Sequence, residues 1–147
     1  MELLPTKNQI LSACRGDTPG DHPLLQWAAE LALAHEQLLN PNGAARESID
    51  NRRVELIHNI DRWVARELIQ PLGCARLHTE TLGAVIDRLA MFTVHANAAL
   101  TGTHEWELWD SWERLAELAV GYDDLKDEIS TGRRRLPVAP PEATGRA

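Results

Sequence analysis

The stretch RESIDNRRVELIHNIDRW, residues 46–63, decides how the chain folds. Its apolar residues Ile49, Leu56, Ile57, Ile60 and Trp63, with Val64 just beyond, recur at the spacing of one face of an α-helix. A helix turns about 100° per residue, so the same wheel sorts the polar residues. Glu55 and His58 fall opposite the apolar arc. Their Glu-x-x-His spacing is the one that di-iron bundles use, but there the ligands project into the core and a second copy accompanies the first. The chain has no second copy. A surface Glu and His one turn apart is the expected reading, with no metal and no cofactor.

Arg46 and Arg53 receive the opposite assignment. Both point into the apolar arc, and Asp50 sits at its edge. Arg46–Asp50 is an i,i+4 pair and Asp50–Arg53 an i,i+3 pair, so each can touch. A buried, uncompensated arginine costs several kcal/mol, so this end of the helix is either open or internally paired.

Glycine and proline punctuate the chain on both sides of this segment. RGDTPGDHP (15–23) is a loop with Asp21 as a plausible N-cap. NPNG (40–43) is a strong turn with Asn42 as a candidate cap, and QPLG (70–73) and TGTH (101–104) mark two further breaks. Between them lie four helical segments, at about 22–39, 43–69, 78–101 and 104–131, with a short helix at about 6–14. No period-2 run rich in Val, Ile and Thr occurs. The expected fold is all-α: an antiparallel up-down bundle of four main helices joined by short loops. The expected organisation is an N-terminal segment over 1–21, the bundle over 22–131, and a flexible, disordered Pro-rich tail over 132–147.

The helix before NPNG has an apolar face of Leu24, Trp27, Ala28, Leu31, Leu38 and Leu39, with His35 near its centre. Antiparallel packing across the turn brings His35 toward Asp50 and Arg46. A polar cluster of His35, Arg46, Asp50 and Arg53 is therefore expected near one end of the bundle. It is read either as a buried network fixing helix register or as a pocket for an anion or carboxylate, which arginine forks suit. General-base chemistry by His35, oriented by Asp50, is a third option. On the third main helix Leu82, Val85, Ile86, Leu89, Phe92, Ala96 and Leu100 read as inward, and Asp87, Met91 and His95 as outward.

The last helix turns Leu108, Trp112, Leu115, Leu118, Ala119, Tyr122, Leu125 and Ile129 inward. Trp106 points nearly opposite, and Trp109 lies toward the flank with Val120. These three form the candidate interface, for a second copy or another protein partner, unless they pack against the N-terminal segment. Glu113, Glu117 and Asp124 make an acidic stripe on the wet side.

Composition narrows the function classes. Fifteen Lys and Arg stand against twenty-two Asp and Glu, for a net charge of −7. That balance argues against nucleic acid as a partner and against an anionic membrane surface. No apolar run is long enough to cross a bilayer, and the N-terminus lacks the pattern of a signal peptide. Cys14 and Cys74 stand far apart in no paired motif, as expected of two reduced thiols in a cytoplasmic protein.

ESIDNRRVELIHNIDRWV (47–64) resembles the central motif of the bacterial domain of unknown function family 4254: Ile-Asp-x-x-Arg, then aliphatics, then Ile-Asp. The matching residues are Ile49, Asp50, Arg53, Ile57, Ile60 and Asp61. LAHEQLL (33–39) looks like the family's preceding helix, and GYDDLKDEISTGRRRLP (121–137) is similar to the end of its shorter actinobacterial members. The resemblance implies an all-helical fold with no assigned activity, and it adds Asp61 to the polar positions of interest. Two functions stay open. One is a non-enzymatic interaction or scaffolding module that self-associates through the Trp106 side. The other is a small-ligand-binding protein or enzyme built on the His/Arg/Asp cluster.

Overall fold

The computed structural model describes residues 3–17, 20–40, 45–68, 73–102 and 104–137. Five helices form in order: α1 (Lys7–Cys14), α2 (Pro23–Leu38), α3 (Arg46–Glu67), α4 (Leu82–Ala99) and α5 (Glu105–Ser130). Local chemistry explains most of the starts. Thr6 opens α1 with a capping box: its hydroxyl accepts from the Gln9 amide at 3.2 Å, and its own amide donates to Gln9 Oε1 at 2.9 Å. Pro23 occupies the first turn of α2, where no intrahelical amide is lost. His22, not Asp21, caps that helix. Its Nδ1 accepts from the Leu24 amide at 3.1 Å while Nε2 lies 2.7 Å from the Leu3 carbonyl, so one neutral tautomer serves both contacts. Thr81 caps α4 through the Ala84 amide. The Asn42 cap lies outside the described residues, and α3 begins after Ala45, which takes a left-handed φ of 66°.

α4 packs against each of the other four helices, and its buried residues span an arc of about 200° around it. α2 packs on α1, α3 and α4. Among the described residues α5 meets only α4, α1 and the short strand β2, and it makes no contact with α2 or α3. The space between α2 and α5 is taken instead by α1. Tyr122 Oη donates to the Pro5 carbonyl at 2.7 Å, and the Lys7 amide donates to Asp123 Oδ1 at 2.9 Å. Leu4, Ile10, Leu11, Ala13 and Cys14 join the main hydrophobic core. Burying a side chain such as Ile10 contributes on the order of 1.5–3 kcal/mol. The N-terminal segment therefore builds the core as well as preceding it.

α1 is only eight residues long, against twenty-six for α5, so it covers the C-terminal half of that helix alone. No side chain from Glu105 through Arg114 is buried, whereas Leu115, Ala119, Tyr122 and Leu125 are. Leu39 and Leu100, expected inward, are exposed. They are the C-caps of α2 and α4, one step past the packed turns, at the end where no helix separates α2 from α5.

A two-stranded parallel ribbon was not foreseen. β1 (Arg76–Leu77) pairs with β2 (Arg134–Arg135), in register Arg76↔Arg134 and Leu77↔Arg135. Two residues are too few for a period-2 pattern to be visible. Gly132, at φ 74°, lets the chain reverse after α5, and Leu136 is buried just beyond the ribbon. The segment expected to be loose from residue 132 is thus packed as far as the described residues reach; the rest of the tail lies outside them. Among the described residues no helix is long and apolar enough to cross a membrane.

Candidate functional site

Three helices contribute to one charged chain. α2 supplies His35 from its last turn, α3 supplies Asp50 and Arg53, and α4 supplies Asp87. His35 Nε2 lies 2.8 Å from Asp87 Oδ1. The Arg53 Nε lies 3.2 Å from that same oxygen, as an ion pair without hydrogen-bond alignment. Arg53 NH1 donates to Asp50 Oδ1 at 2.9 Å. The chain runs Asp50–Arg53–Asp87–His35, from a half-exposed end to a buried one. Asp87 supplies a hydrogen-bond partner for the buried His35 ring and a counter-charge for Arg53.

The expectation that Asp87 faces solvent is therefore wrong. α4 has four helical neighbours, so its buried arc is wide and takes in Asp87 at its edge, while Met91 is half-buried and His95 is exposed. Composition carried the signal. LGAVIDRLAMFTVHANAA is mostly apolar, as suits a helix with four neighbours, and an acid buried in such a helix needs a partner.

The other expected members lie apart. Arg46 is the first residue of α3 and is exposed. Its guanidinium donates to the Leu38 carbonyl at 3.1 Å, a favourable place for a cation at the end of α2. Asp61 is buried, and its Oδ1 accepts from the Gly83 amide at 2.8 Å. Burial pushes the Asp61 carboxyl up, opposed by the Gly83 amide, the Thr81 hydroxyl and the nearby His58. This carboxylate ties the start of α4 to α3. Gly83 makes the approach possible, because a Cβ there would lie 2.6 Å from both Asp61 Oδ1 and the Ile57 carbonyl oxygen. Glu55 is exposed and holds Arg52, which also reaches Glu30 on α2 at 2.6 Å. Arg52 and Arg53, about 100° apart on α3, thus enter separate pairings. Among the described residues no three His, Cys, Asp or Glu side chains gather as a metal would require.

The second region lies where α1 leaves α2 and α5 apart. An open cleft of about 380 Å³ is lined by Leu39, His95, Ala98, Ala99, Gly102, Trp106, Glu107, Asp110 and Ser111. A neighbouring cleft of about 220 Å³ adds Phe92 and Arg114. Partial burial holds His95 below the usual histidine range, and the charge of His35 pushes the same way. Trp106, Trp109 and Val120 are 67%, 70% and 53% exposed. The acids Glu105, Glu107, Glu113 and Glu117 lie among them, also exposed.

One family model matches residues 27–138, spanning α2 through the ribbon. The chain belongs to the family described as protein of unknown function (DUF4254). No curated protein and no solved structure matches it. In this DUF4254 chain the motif positions fall into two jobs. Asp50 and Arg53 enter the charged chain that joins α3 to α4 and α2, and Asp61 anchors the N-terminus of α4.

Proposed function

We propose that this is a non-enzymatic interaction module that self-associates through the outer face of α5, carrying Trp106, Trp109 and Val120. The observation behind the reading is the thinly covered N-terminal half of α5: from Glu105 to Arg114 no side chain is fully buried, and two of its three tryptophans, Trp106 and Trp109, stand exposed. Large exposed aromatic side chains beside an apolar cleft mark association surfaces on soluble proteins. The helices are read as an antiparallel up-down bundle over 22–131, with the N-terminal segment wedged into it, in a cytoplasmic protein. The Asp50–Arg53–Asp87–His35 chain is read as a register network, because Asp87 occupies the Arg53 guanidinium and the His35 ring that an anionic ligand would need.

Size-exclusion chromatography with light scattering tests the reading. The parent is expected to run above the 16.4 kDa of one chain, and Trp106→Ala with Trp109→Ala to return it toward that mass. A parent that stays monomeric at every accessible concentration removes the support for self-association.

A further inference from the structure

Charge is distributed unevenly along this acidic molecule. The ribbon carries Arg76, Arg134 and Arg135, with Arg133 directly before β2. Against them the flanking segments 73–80 and 131–137 hold a single acid, Glu80, which is engaged by Arg88. Arg134 is paired with Glu128 at 3.1 Å. Arg76, Arg133 and Arg135 make no ion pair among the described residues: Arg133 donates through Nε to the Thr131 hydroxyl, and Arg135 through Nε to the Ala75 carbonyl. Leu77, in the middle of this ribbon, is 50% exposed.

The outer face of α5 has the opposite character. Between Glu105 and Gly121 it carries five acids and one arginine. Arg114 is occupied by Asp110 at 2.9 Å, which leaves Glu105, Glu107, Glu113 and Glu117 without ion pairs among the described residues. Trp106, Trp109 and Val120 share this face. One surface thus offers carboxylates and indole rings, and the other offers guanidinium groups around an exposed leucine. Guanidinium groups pair with carboxylates and stack on indoles, so the two surfaces satisfy each other's chemistry. The ribbon follows the C-terminal end of α5, while the tryptophans stand at its N-terminal end. A helix of twenty-six residues separates these ends by roughly 39 Å, so one molecule cannot bring them together.

We propose that the arginine ribbon of one copy docks on the acidic, tryptophan-bearing face of α5 of a second copy, giving head-to-tail association. The proposal rests on the self-association reading above and names the second surface. Such a contact is heterologous: it leaves one unused surface of each kind on every dimer, so it closes into a ring or extends into a chain.

Charge reversal tests it, with light scattering at several protein concentrations and circular dichroism to confirm folding. Arg133→Glu with Arg135→Glu is expected to abolish self-association, as is Glu113→Lys with Glu117→Lys, which alters only exposed positions on α5. Mixing the two variants is expected to restore association, because each then meets its opposite charge only on the other. Raising salt from about 50 to about 500 mM is expected to weaken the parent roughly tenfold or more. If Trp106→Ala with Trp109→Ala dissociates the parent but neither charge reversal does, the ribbon is not the docking surface, although α5 still is. If the two reversed variants fail to associate on mixing, head-to-tail docking is overturned. A parent that is monomeric throughout overturns both readings.

Discussion

Replacing Asp87 by alanine tests the central ionic chain most directly. The substitution removes the oxygen that accepts from His35 at 2.8 Å and faces Arg53 at 3.2 Å. His35 is 6% exposed, so its Nε2 would be left without a partner and out of reach of water. A hydrogen bond to a charged group contributes about 1.5–3 kcal/mol, and stranding a buried polar group costs a similar amount. Arg53 suffers less. It retains Asp50 and is partly solvated, so its share is about 0–1 kcal/mol. The expected loss is about 2–4 kcal/mol. In a chain of this size that lowers the melting temperature by about 5–12 °C. Asp87→Asn keeps an acceptor and loses the charge, and should cost about half as much. The double variant His35→Leu with Asp87→Leu removes both polar groups, and should be more stable than either single leucine variant. Urea denaturation of the four-member cycle measures the coupling. Additive single-site losses, or an Asp87→Ala change below about 0.5 kcal/mol, would refute a role for this chain in holding α2, α3 and α4 together.

Gly83→Ala should destabilise by about 2–3 kcal/mol in denaturant melts, because the added methyl meets a backbone carbonyl at 2.6 Å and α4 must move away from α3. Asp61 predicts a pH dependence. Its folded pKa is raised above the usual 3.8, so the folded state holds the proton more tightly and stability falls as pH rises from about 3.8 through the folded value. Asp61→Asn removes that slope. Melts across pH 3–7 should show the parent losing ground relative to the variant as pH increases, and a constant difference would contradict the assignment. The Cys14 thiol is pushed up to about 12 by burial, whereas Cys74 is exposed. A thiol reagent at neutral pH should label Cys74 rapidly and Cys14 only on unfolding. Rapid labelling of Cys74→Ser would show that Cys14 is not enclosed.

The helices were legible because each is announced twice, by apolar spacing and by a start or stop signal. Thr6, Pro23 and Thr81 sit at starts, and Gly132 follows an end. What stayed hidden depends on which helix touches which. The wheel divides a helix into a wet and a dry side of fixed width, whereas the four neighbours of α4 widen its buried arc until it takes in Asp87. The wheel alone therefore turns Asp87 to solvent and leaves Asp50 as the nearest partner for His35. Sequence proximity across the turn favoured Arg46, yet that residue stands at the start of α3, where the Leu38 carbonyl is the closer acceptor. The ribbon escaped notice because two paired residues leave no period.

The same contact pattern leaves the N-terminal half of α5 without fully buried side chains, while Trp106 and Trp109 stand exposed on its outer face. A helix longer than its covering partner must expose one end, and α1 is too short to cover all of α5. A single-chain solution would place polar residues where the outer tryptophans stand; this chain keeps the tryptophans. It surrounds the exposed indoles with carboxylates, which keep the face hydrated. Under the proposed self-association, carboxylates around an apolar centre select against other acidic surfaces and in favour of cationic ones, so the same acids that hydrate the face would also set the charge of the surface that docks on it.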